Sequence, residues 1–78
     1  MTFEKFARED VLRVLAEHGI TGARRVETTD STEEVILLAH EHFDRVDVDA
    51  LTRALMEVIP DTKVWVAPDR PPWRGEEI

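Results

Sequence analysis

The chain has 78 residues, 17 acids against 10 bases, a net charge of −7 and no cysteine. That length makes one domain with a thin stability margin, since a chain this short buries only about 60% of the surface its unfolded form exposes. The lack of cysteine excludes disulfides and thiolate metal sites, and the acidity argues against nucleic acid and anionic membrane surfaces as partners.

Residues 3–18 read as a helix. Phe3, Phe6, Ala7, Val11, Val14, Leu15 and His18 fall at three- and four-residue spacings and line one face. Thr2 can cap its start, and Gly19 stands where a left-handed residue ends a helix. Ile20 to Thr29 reads as a first strand, half-exposed and at a sheet edge. Residues 29–32 carry turn chemistry. Glu34 to His40 reads as a second strand, apolar on both faces for five residues and so covered on both. A helix is the competing reading there, because residues 31–34 resemble a capping box. Residues 48–59 read as a second helix, capped by Asp47 or Asp49, with Leu51, Ala54, Leu55 and Val58 inward and Pro60 as its stop. Lys63 to Ala67 reads as a third strand ended by Pro68, and residues 69–78 as an extended tail.

The expected fold is a small α/β domain over residues 1–68, in the order α-β-β-α-β. Its three-stranded mixed sheet would have order 1-2-3, with strands 1 and 2 antiparallel and 2 and 3 parallel. One helix would cover each face, or both would share one face while a second subunit covers the other.

The charge is concentrated. Residues 27–49 hold eight acids and one base, while the remaining chain holds nine of each. Loops at the two ends of the second strand, roughly 23 Å apart, carry these acids. Helix capping and solubility account for many of them; the functional alternative is a surface that docks a basic protein. The residues expected on it are Glu33, Glu34, Asp44 and Asp47. Trp73, set between prolines and Arg74, would add an interface anchor, or else pack back over the sheet near Trp65. Arg24 and Arg25 would serve mainly to pair with Glu33 or Glu34 across the hairpin.

His40-Glu41-His42-Phe43-Asp44 is the sharpest chemical motif. On an extended segment His40, His42 and Asp44 would project together, a donor set suited to zinc, nickel or iron. A following helix start disfavours a cation, and the two-histidine spacing comes without a third placed ligand or a metalloprotease signature. No cofactor motif is present. There is no cysteine or tyrosine, and Ser31, the single serine, lacks a nucleophile context, so catalysis is not expected.

Val48 to Glu57, followed by Ile59 to Pro68, resembles the ending of short uncharacterised proteins carried by actinobacterial phages. The likeness covers the last half of the chain in style and composition, and carries no catalytic motif. It implies an accessory role toward a host protein and transfers no functional residues.

The expected function is therefore a non-enzymatic, cytoplasmic protein-interaction module binding a host protein through an acidic surface, without nucleic acid or membrane. The alternatives are a small metal-binding protein using His40, His42 and Asp44, and a structural homodimer.

Overall fold

The computed structural model describes residues 8–26, 28–29, 32–70 and 75–78. Thr2, Phe3, Phe6 and Trp73 lie outside the described residues. Among the described residues three helices, α1 (Arg8–Glu17), α2 (His40–Arg45) and α3 (Val48–Val58), accompany four strands: β1 (Ala23–Val26), β2 (Glu33–Ala39), β3 (Lys63–Asp69) and β4 (Glu76–Glu77).

The sheet order is β3-β2-β1-β4. The mixed α/β architecture agrees with the sequence reading, as do the antiparallel β1–β2 and parallel β2–β3 pairings. The expectation of three strands is corrected: β4 pairs antiparallel with β1, Arg24 opposite Glu77 and Arg25 opposite Glu76. β1 is thus an interior strand. Two residues with no apolar side chain between them gave no strand signal; β4 exists because β1 offers it a ladder. Asp69 ends β3, so the strand passes through Pro68.

Alternation along β2 decides the layers. Glu34, Ile36 and Leu38 point to one face, and Val35, Leu37 and Ala39 to the other. Val11, Val14 and Leu15 of α1 join Leu51 and Leu55 of α3 in one core cluster with Ile36, Leu38 and Val64. Both long helices therefore share one face, as in the helix placement of the second arrangement expected. Among the described residues, no helix comparable to α1 or α3 lies on the opposite face, and none is long and apolar enough to cross a membrane. Ile20, Ala23 and Ile59 complete the cluster, and fully burying a large aliphatic side chain of this kind contributes about 1.5–3 kcal/mol.

The helix ends follow local chemistry. Gly19, at φ 78°, takes the left-handed conformation just beyond α1. Asp47 accepts a hydrogen bond from the Ala50 amide at 3.1 Å and caps α3. α2 begins at Ala39 without a side-chain cap and closes with the Val46 amide donating to the His42 carbonyl at 3.0 Å.

Candidate functional site

The candidate surface lies where β2 and β3, running parallel, end and the chain passes into α2. Open α/β sheets place ligands outside the carboxyl ends of parallel strands. Glu41, Asp44, Asp47 and Asp49 are exposed here within nine residues, with Arg45 the one intervening base. Asp47 is already used as the α3 cap, and Asp49 sits in that helix's first turn, where a carboxylate complements the helix dipole. Glu41 likewise sits in the first turn of α2, whereas Asp44, near the other end of that helix, pairs with a side chain, His40.

Residues 40–44 are helical, which corrects the extended geometry expected for them. Successive side chains on a helix turn by 100°, so His40 and His42 diverge while His40 and Asp44, one turn apart, meet. The His40 Nδ1 lies 3.2 Å from Asp44 Oδ2. His42 instead borders a recess of about 270 Å³ on the opposite side, with Leu37, Ala39 and Asp69. The three-ligand set of His40, His42 and Asp44 is not assembled, and among the described residues no group of three or more His, Asp or Glu is placed to hold a metal ion.

The other predicted acids separate by position. Glu33 is half-buried, at the far end of β2 from Asp44 and Asp47. Glu34 is 1% exposed, so its carboxylate cannot form part of an accessible rim. It accepts a hydrogen bond from the Arg25 Nε at 2.5 Å, the cross-hairpin pairing expected from the sequence. The reason is register: Glu34 shares the helix-side face with Ile36 and Leu38, and Arg25, opposite Ile36, points to that same face.

Arg24 points the other way. Its Nε lies 3.4 Å from the Asp69 carboxylate and its Nη1 donates to the Gly75 carbonyl at 3.5 Å. One guanidinium thereby ties β1 to β3 across the intervening β2 and to the approach to β4. Asp69 is only 4% exposed, although the sequence placed it in the tail. The signal that could have found it is the strand period: Asp69 is in step with Trp65 and Ala67 on the face opposite the core, beside a cation on β1.

A second recess of about 310 Å³ on that face is bordered by Val26, Val35, Leu37 and Ala67. Trp65, next along the face, is 46% exposed, and the Lys63 ammonium sits 4.5 Å from its ring centroid. Comparison with protein-family models, curated proteins and solved structures finds no match.

Proposed function

We propose that the protein is a non-enzymatic interaction module that docks a basic protein partner at the α2–α3 end. The observation that carries this reading is the exposed row Glu41, Asp44, Asp47 and Asp49 at the carboxyl ends of the parallel strands. Clustered like charge there raises the encounter rate with a basic surface and disfavours acidic competitors. The resemblance of residues 48–68 to phage accessory proteins makes a host protein the class of partner to test.

Affinity capture followed by charge reversal at Glu41 and Asp44 tests the reading. A captured partner should lose at least tenfold in affinity on Asp44→Lys and weaken steadily with added salt. Asp47→Asn separates charge from stability, because asparagine caps a helix as well as aspartate. A partner whose affinity is indifferent to salt and to both reversals sinks the proposal.

A further inference from the structure

The two edges of the sheet are built differently. The β4 edge is two residues long and both are glutamates. Short, charged strands of that kind discourage pairing with another chain. The β3 edge is seven residues long, Lys63–Asp69, and reads Lys-Val-Trp-Val-Ala-Pro-Asp. From Lys63 to Pro68 it carries no acid, on a chain whose net charge is −7. It is the stretch of sheet edge where two copies repel each other least.

The backbone directions on β3 follow from one hydrogen bond. The Lys63 amide donates to the Thr32 carbonyl at 2.8 Å, toward β2. Backbone groups alternate sides along a strand, so Trp65, Ala67 and Asp69 also face β2, while Val64, Val66 and Pro68 face outward. Pro68 thus sits where its missing N–H breaks no bond within the sheet.

We propose that the protein forms a two-fold symmetric dimer by antiparallel pairing of β3 with β3 of a second copy, centred on Trp65. In that register Val64 exchanges both backbone hydrogen bonds with Val66 of the other copy, and the reverse, for four in all. The two Trp65 residues become a directly opposed, non-hydrogen-bonded pair, where side chains approach most closely. Lys63 falls opposite Ala67 of the other copy, a side chain small enough to leave it room. A register centred on Val66 would set Val64 against Pro68 and lose a donor at each end. One centred on Val64 would set Val66 against Thr62, which precedes the strand. Trp65, the most exposed large apolar residue among those described, is covered by this pairing. The dimer is independent of the acidic surface, which lies on α2 and the start of α3.

Sedimentation velocity from low-micromolar to near-millimolar concentration, with two sets of variants, tests the pairing. The unmodified protein is expected to show a concentration-dependent monomer–dimer equilibrium, and Trp65→Lys to shift dissociation at least tenfold toward monomer with an unchanged circular dichroism spectrum. Because the chain has no cysteine, the register can be read by oxidation. A mixture of Lys63→Cys and Ala67→Cys proteins should form a disulfide-linked heterodimer, while Lys63→Cys alone should not, its two sulfurs lying four residues apart in register. Monomer at every concentration overturns the proposal. So does a dimer that survives Trp65→Lys, or one in which the cysteine mixture fails to cross-link.

Discussion

Arg25 and Glu34 form an ion pair on the helix side of the sheet, with the carboxylate closed off from water and the guanidinium about one-third exposed. The pair joins the two strands of the β1–β2 hairpin where the apolar core gives way to a charge. Removing one partner leaves the other desolvated and uncompensated, which in a fully buried pair costs about 3–5 kcal/mol. Partial exposure of Arg25 reduces this. Arg25→Ala is expected to cost about 2 kcal/mol in urea unfolding. Arg25→Met combined with Glu34→Leu should cost less than Arg25→Ala alone, since replacing both charges removes the desolvation penalty. A double variant less stable than the single one would show that the pair contributes net attraction.

Asp47 caps α3 by accepting from the Ala50 amide. Asp47→Ala should cost about 1 kcal/mol, equivalent to about 4–8 °C in Tm for a domain of this size. Asp47→Asn should stay within a few tenths of a kcal/mol of the parent. Thermal unfolding followed by circular dichroism distinguishes the two.

Gly75 has φ 73°, and a Cβ placed on it would stand 2.3 Å from the Arg25 carbonyl oxygen. Gly75→Ala therefore combines backbone strain with a collision against backbone that cannot move cheaply, and should release β4 from β1. Gly19 also has positive φ, 78°, but a Cβ there meets nothing within 4 Å. Gly19→Ala should show only the strain, about 1 kcal/mol. Hydrogen exchange should show lost protection of the Ile78 amide, which donates to the Ala23 carbonyl, in the first variant and not in the second.

The two faces of β2 should respond unequally to truncation. Leu38 is fully buried between the sheet and the helices, whereas Val35 is half-buried on the opposite face. Leu38→Ala should cost about 2–5 kcal/mol, a large share of what a 78-residue domain holds in reserve. Val35→Ala should cost about 1 kcal/mol or less. Equal losses at both positions would mean that the Val35 face is packed as tightly as the core.

The sequence by itself determined the elements whose local patterns agree with their surroundings. The 48–58 helix has an apolar stripe, an acidic cap and a proline stop, and the strand read at 34–40, observed at 33–39, has a short run rich in Val, Ile and Leu without a helical stripe. The cross-hairpin arginine–glutamate pairing was also legible, because residues two apart on a strand share a face. Only tertiary structure decided the rest. A six-residue helix at 40–45 is too short to hold by propensity; it persists with Phe43 and Val46 packed against the core, and so the two histidines point apart. β4 is two glutamates that become a strand only through the ladder β1 provides. Glu34 and Asp69 look like surface acids in one dimension, and in the fold each is enclosed with an arginine of β1 within reach on its own face. Periodicity is a property of neighbours along the chain, whereas register, burial and the directions of those charges belong to pairs that folding alone brings together.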